Sequence, residues 1–160
     1  MKETNFTIMI KIQKAYLNLL QHDVALPRNN ANERSITHKL ATYLQDEFPE
    51  WNVDCEYNRN QIETKRLKHI APPSAQDTDA HTVYPDIIVH RRETNDNLLI
   101  IEAKKDSFCG KDYDAQKLKL YCEQLHYLFA CKITFPTGKK LSPDIFSGNC
   151  INLQDNSHFD

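Results

Sequence analysis

Apolar side chains recur three or four residues apart in three stretches of the chain, a spacing typical of amphipathic helices. They predict helices over residues 4–22, from about 30–32 to about 48, and over about 112–130. Pro27 and the polar residues 28–30 break the chain between the first two helices, and Pro49 ends the second. The apolar positions are Ile8, Ile12, Tyr16, Leu19 and Leu20, then Ile36, Leu40, Tyr43, Leu44 and Phe48, then Leu118, Tyr121, Cys122, Leu125, Leu128 and Phe129.

Other stretches carry the signature of strands. Residues 51–58 alternate, with Trp51, Val53, Cys55 and Tyr57 on one face. The apolar runs 83–90 and 98–104 are joined by turn-forming residues and predict a hairpin, and a short strand over 131–135 follows the third helix. Residues 61–82 predict a long loop, and the tail from residue 141 is predicted to be irregular. The element order is α-α-β-β-β-α-β, in one α/β domain over residues 1–160.

Composition narrows the class of protein. The chain has 160 residues, 40% of them hydrophobic and 26% charged, as in globular domains. Its net charge of -2 argues against a polycationic nucleic-acid binder, and no apolar run approaches the ~20 residues of a membrane span. Three glycines cannot build a GxGxxG or P-loop motif. The five cysteines form no CxxC pair, and Cys122 and Cys131 lie in apolar surroundings. This usage predicts reduced thiols in a cytoplasmic protein. The seven histidines lack zinc-site spacing.

Charged residues lie at the open end of the predicted hairpin, opposite its turn. Alternation places Leu98, Ile100, Glu102 and Lys104 on one face of the second strand, and Asp86 opens the first strand, where pairing would bring it beside Glu102. Uncompensated charges at the end of a buried hairpin cost several kcal/mol in effective terms. A divalent cation such as Mg²⁺ would relieve the repulsion between the carboxylates and acidify an attacking water. The pattern therefore predicts phosphodiester hydrolysis.

These residues form a recognisable motif. Pro85-Asp86, followed after sixteen residues by Glu102-Ala103-Lys104, resembles the PD-(D/E)XK nuclease superfamily, which has the restriction-endonuclease-like fold. The resemblance covers about residues 30–136. It implies an αβββαβ core with a mixed central sheet flanked by helices, to which the first predicted helix is an N-terminal addition.

The resemblance also implies roles for individual residues. Asp86 and Glu102 would bind the metal with the backbone carbonyl of Ala103, and Lys104 would serve the attacking water. Glu33, on the helix before the first strand, matches an additional active-site glutamate of many members and is the fourth candidate catalytic residue. Its spacing to Ile36 and Leu40 places it on the buried face of its helix, within reach of the site. The implied cofactor is Mg²⁺, which Mn²⁺ can replace, and the expected substrate is DNA, with RNA left open and endonuclease action favoured.

Plainer interpretations stand beside these roles. Asp86 could cap a turn and Lys104 could be a solvated strand end, and with Asn30 as N-cap Glu33 would occupy the capping-box position. Glu63-Thr64-Lys65 and Pro143-Asp144 repeat parts of the motif, but in the wrong order along the chain. The principal alternative is a non-catalytic nucleic-acid or protein-binding module on the same fold. A structural interaction domain would instead scatter its basic residues over the surface.

Nucleic-acid contacts are expected from residues that flank the motif and from the loop over 61–82. We expect no separate recognition domain in these 160 residues, so specificity would come from a homodimer or a protein partner, and no membrane association is expected. The candidate contact residues are Lys65, Arg66, Arg91, Lys105, Gln116 and Lys117.

Overall fold

The computed structural model describes residues 3–57, 59–60, 63–64, 66–67, 81–82, 84–105, 113–139, 141 and 147–152. The helices in this part of the chain are α1 (Asn5–His22), α2 (Ala25–Arg28), α3 (Glu33–Glu47) and α4 (Tyr113–Leu125). The strands are β1 (Asn52–Cys55), β2 (Arg59–Asn60), β3 (Glu63–Thr64), β4 (Arg66–Leu67), β5 (His81–Thr82), β6 (Ile87–His90), β7 (Asn97–Lys105), β8 (Phe129–Phe135) and β9 (Ser147–Asn152).

A mixed five-stranded sheet with helices on both faces forms the core, as the α/β prediction requires. Its strand order is β1-β6-β7-β8-β9, and β7 and β8 are parallel while the other neighbours are antiparallel. Helices α1 and α3 bury their apolar stripes against one face in the larger hydrophobic cluster. Helix α4 covers the other face with a smaller cluster. The described residues include no helix long and apolar enough to cross a membrane.

The first helical region largely matches its prediction. Helix α1 begins after a capping box between Thr4 and Thr7, and Ile8, Ile12, Tyr16 and Leu19 are buried. The predicted break at Pro27 is wrong in detail, because Pro27 lies inside the single turn of α2. Proline is compatible with a first helical turn, since the N–H that it lacks has no intrahelical acceptor there.

Helix α3 begins at Glu33, and its N-cap is Asn32, whose side chain accepts a hydrogen bond from Arg34 N–H. The predicted N-cap Asn30 is wrong, since its φ of 52° is left-handed rather than extended. Glu33 therefore stands at the first helical position, and the capping-box interpretation of its carboxylate no longer applies.

The predicted hairpin is present, with Ile87 opposite Ile101 and Val89 opposite Leu99. A register shift between Val89 and His90 leaves Leu98 as an extra residue in β7. The prediction that Leu98 shares a face with Ile100 is therefore wrong, because Leu98 packs in the α1/α3 cluster while Ile100 packs against α4. Strand β7 continues for four residues past its last pairing with β6.

Several predicted boundaries are also corrected. Helix α4 ends at Leu125, His126 turns the chain with a φ of 57°, and Phe129 begins β8 rather than ending a helix. Residues 61–82 are not wholly loop, because β3 pairs with β2 and β4 pairs with β5. The tail is not wholly irregular, because β9 adds an edge strand to the sheet. The positive φ of Glu56 ends the first alternating segment, so Tyr57 packs with the α4 cluster instead.

The cysteines differ from the all-thiol prediction. Cys131 on β8 and Cys150 on β9 lie opposite each other and form a disulfide. Cys122 and Cys55 are free. Burial raises the pKa of the Cys122 thiol to about 12 and that of Cys55 to about 11, so both stay protonated at neutral pH.

Candidate active site

The free end of β7 organises the site. Among the described residues, β7 has no strand partner on its β6 side beyond Ile101, so its backbone N–H groups at that edge need other acceptors. Asp86 Oδ2 accepts a hydrogen bond from Ala103 N–H at 2.8 Å, and Glu33 Oε2 accepts one from Lys105 N–H at 3.3 Å. A residue's N–H and C=O point to the same side of a strand, so the Ala103 carbonyl faces this edge as well. Two carboxylates and a backbone carbonyl therefore meet here.

Glu102 is buried, at 3% exposure, on the α4 side of the sheet. The hydroxyl of Tyr121, itself fully buried on α4, donates to Glu102 Oε1 at 2.8 Å. Sequence reasoning assigned Tyr121 to the core alone and missed this contact. The sequence signal for this contact was the hydroxyl group of Tyr121, which buried tyrosines pair with a polar partner, on a helix face that packs against the strand carrying Glu102.

Lys104 is surrounded by acids. Its Nζ lies 3.4 Å from Glu33 Oε1, and its side chain is 30% exposed. Burial by itself would lower the pKa of Lys104, but the carboxylates of Asp86, Glu33 and Glu102 outweigh that effect and raise it. Lys104 is therefore an ammonium at neutral pH, suited to holding a water or an anionic oxygen and not to accepting a proton.

A cleft of about 520 Å³ opens over these groups. Its described lining includes all four predicted catalytic side chains, brought together from α3, the approach to β6, and β7. Four carboxylates face two permanent cations, and Arg34 Nε is paired with Glu56 Oε1 at 2.8 Å. The lining residues are Glu33, Arg34, Thr37, His38, Cys55, Glu56, Tyr84, Asp86, Glu102 and Lys104.

The donor chemistry of this cleft suits a hard divalent cation. Among the described His, Cys, Asp and Glu side chains no group of three is arranged to hold a metal. Asp86 and Glu102 offer carboxylate oxygens, however, and Ala103 offers a carbonyl at the same edge. Mg²⁺ accepts such a small oxygen set, because it normally keeps several waters and completes its shell with substrate phosphate oxygens. The residues therefore fit Mg²⁺ or Mn²⁺ bound with water and substrate.

The structure separates the predicted nucleic-acid contacts. Lys105 lies at the site, where its Nζ donates to Asn30 Oδ1 at 2.8 Å and to the Ala31 carbonyl at 3.1 Å. Arg91 follows the far end of β6, about five residues or roughly 16 Å from Asp86, and its guanidinium lies over the Trp51 ring. Lys65 and the side chains of Arg66, Gln116 and Lys117 lie outside the part of the chain that the structure describes.

Sequence reasoning did not assign six of the cleft residues to the site, namely Arg34, Thr37, His38, Cys55, Glu56 and Tyr84. Arg34 directly follows Glu33 on α3, and His38 lies four residues further on the same face as Arg34. The predicted helix therefore already placed both residues close to Glu33. No family model, curated protein or solved structure matches the chain. The site's geometry is therefore what supports a functional assignment. It gathers carboxylate and carbonyl oxygens, a charged lysine and access for solvent in one cleft.

Proposed function

We propose that this protein is a Mg²⁺-dependent nuclease of the PD-(D/E)XK type, with the restriction-endonuclease-like arrangement of its core. The observation that carries the proposal is the convergence of Asp86, Glu102, Lys104 and Glu33 on one cleft, from positions up to 71 residues apart along the chain. A structural explanation of each residue alone does not account for their sharing one solvent-accessible site.

The metal would be held by Asp86, Glu102 and the Ala103 carbonyl. When bound, Mg²⁺ polarises the phosphodiester and acidifies a water. Asp86 and Glu102 each have one oxygen fixed by a hydrogen bond, from Ala103 N–H and from the Tyr121 hydroxyl respectively. These bonds orient the carboxylates in advance, so less ordering is required when the cation arrives.

Lys104 and Glu33 have roles other than holding the metal. The Lys104 ammonium orients the attacking water and neutralises charge that develops on the phosphate. Glu33 holds that ammonium at 3.4 Å and also bonds to the backbone of the next residue, so it fixes both the side chain and the strand end. Glu33 is thus a positioning residue for Lys104.

DNA is the proposed substrate, with RNA as the second possibility, and endonuclease action is favoured. A homodimer or a protein partner would add sequence specificity. A cytoplasmic location stays a prediction, and the Cys131–Cys150 disulfide weighs against it, because disulfides are rare in reducing compartments.

One observation favours a different function. Asp86 and Glu33 already satisfy the backbone N–H groups at the free edge of β7, which is a structural task. If that were their whole role, the cleft would belong to a non-catalytic module that binds nucleic acid or protein.

Cleavage distinguishes the two functions. Purified protein is incubated with circular and linear DNA, each single-stranded and double-stranded, and with RNA, in Mg²⁺, in Mn²⁺ and in EDTA, beside Glu102→Gln and Lys104→Ala. We expect cutting in either metal, none in EDTA, and a loss of at least about a hundredfold in both variants. Equal inactivity of all three proteins, with no metal binding by calorimetry, would refute the nuclease and leave the binding module.

A further inference from the structure

An exposed aromatic ring stands in the wall of the cleft. Tyr84 is 58% exposed, two residues before Asp86, and lines the same cavity as the carboxylates. Leaving so large an apolar face in water brings no stability to the fold. Aromatic side chains beside a phosphate-handling site are platforms on which nucleic-acid bases stack.

An arginine and a histidine line the same cleft. Arg34 and His38 are both exposed, and because they are four residues apart they share one face of α3. The Arg34 side chain is 80% exposed, and its Nε pairs with the carboxylate of Glu56, which lines the same cleft. A backbone phosphate next to these groups would meet the Arg34 guanidinium and an imidazole ring that can donate a hydrogen bond.

The size and depth of the cleft limit which ligands can contact the Tyr84 ring and the Arg34 and His38 side chains at the same time. A volume of about 520 Å³ accommodates a nucleotide-sized ligand, and the Glu102 carboxylate at 3% exposure lies deep within it. In an intact duplex the bases are stacked on one another and paired, so only the backbone would reach the cleft. A base can meet the Tyr84 ring only when it is unstacked.

We infer that the cleft takes its nucleic acid as a single strand, with one base stacked on Tyr84 and an adjacent phosphate beside Arg34 and His38. The inference deepens the proposed function by naming the form of the substrate. It rests on that function for the cutting step but not for binding. Single-stranded DNA and single-stranded RNA share this chemistry.

Binding measurements test the inference. Fluorescence anisotropy is recorded in Ca²⁺, which takes oxygen ligands as Mg²⁺ does, with a labelled single strand of about twelve nucleotides as DNA, as RNA, and as the matching DNA duplex. We expect Tyr84→Ala to weaken single-strand binding about tenfold and Tyr84→Phe to preserve it. Phe6→Ala is the matched control, because Phe6 is 74% exposed on α1 and does not line the cleft. Its binding should equal that of the wild type.

The outcomes separate this inference from the nuclease proposal. Equal single-strand affinities for Tyr84→Ala and wild type would overturn the inference, as would duplex binding tighter than single-strand binding. Either result could accompany normal cleavage, which would leave the nuclease intact. A tenfold effect of Tyr84→Ala without any cleavage would support the inference and reject the nuclease. The comparison of the DNA and RNA strands identifies the preferred sugar.

Discussion

Asp86 performs two tasks that two substitutions can separate. Its Oδ2 accepts the hydrogen bond from Ala103 N–H at 2.8 Å, and Ala103 is fully buried. Asp86→Ala leaves that N–H without its acceptor, which costs about 1–3 kcal/mol. Asp86→Asn keeps an acceptor oxygen. It loses the attraction to Lys104, worth less than about 1 kcal/mol at this solvated site, but also relieves the repulsion from Glu33 and Glu102. The net change for Asn is therefore close to zero.

Urea unfolding at neutral pH in EDTA measures the difference. We expect the free energy of unfolding to fall by about 1–3 kcal/mol for Asp86→Ala and to stay within about 0.5 kcal/mol of wild type for Asp86→Asn, with unchanged m-values. Equal destabilisation by both substitutions would refute the reasoning, because it would show that the negative charge and not the acceptor stabilises the strand end.

Three further predictions concern stability. Because the pKa of Lys104 is raised in the folded state, its ammonium stabilises the fold below about pH 10.4. This contribution disappears as the pH rises through the folded-state pKa. In urea unfolding at alkaline pH, wild type should therefore lose more stability than Lys104→Met. Burial of Asp54 is outweighed by its hydrogen bonds, with Arg92 foremost, so its pKa is lowered. The Asp54 carboxylate therefore stabilises the fold above about pH 3.9, and this contribution is lost as the pH falls through its folded-state pKa. Arg92→Gln should reduce the loss of unfolding free energy at acid pH. Reducing the Cys131–Cys150 disulfide, which spans 19 residues, should lower the unfolding free energy by about 3 kcal/mol, and identical oxidised and reduced midpoints would contradict this.

The sequence located the hairpin that carries the proposed active site because two independent signals agree there. Both faces of β6 and β7 are buried, which produces continuous apolar runs, and the runs end in charged residues that a core does not tolerate without a purpose. Alternation then put Glu102 and Lys104 on one face, and pairing brought Asp86 to the same end. These inferences need only local periodicity and one hairpin.

The errors arise where tertiary structure overrides the local pattern. The extra residue Leu98 shifts the register by one, and no sequence periodicity reveals on which strand a bulge falls. Leu128 and Phe129 continue the helical spacing of α4 by coincidence, but His126 adopts a left-handed conformation and the following residues extend into β8. The Cys131–Cys150 pairing depends on β9 joining the sheet edge, a long-range contact between residues that show no spacing motif.

The site shows the same limit. Glu33 was expected near the cleft from its helix face, yet its position depended on which asparagine caps α3, and only the backbone conformation decides between Asn30 and Asn32. The hydrogen bond from Tyr121 to Glu102 and the exposure of Tyr84 depend on how α4 and the approach to β6 lie against the sheet. Such contacts between distant segments are invisible to periodicity.

The most direct test of the nuclease is cleavage by a variant that keeps its fold. Asp86→Asn is compared with wild type and with Asp144→Asn, which alters the second Pro-Asp pair of the chain and serves as the matched control. The three proteins are incubated with single-stranded and with duplex DNA in Mg²⁺ after urea unfolding has shown equal stability. We expect wild type and Asp144→Asn to cut at equal rates and Asp86→Asn to lose at least about a hundredfold. Unchanged cleavage by Asp86→Asn would contradict the placement of the metal and, with it, the proposed active site.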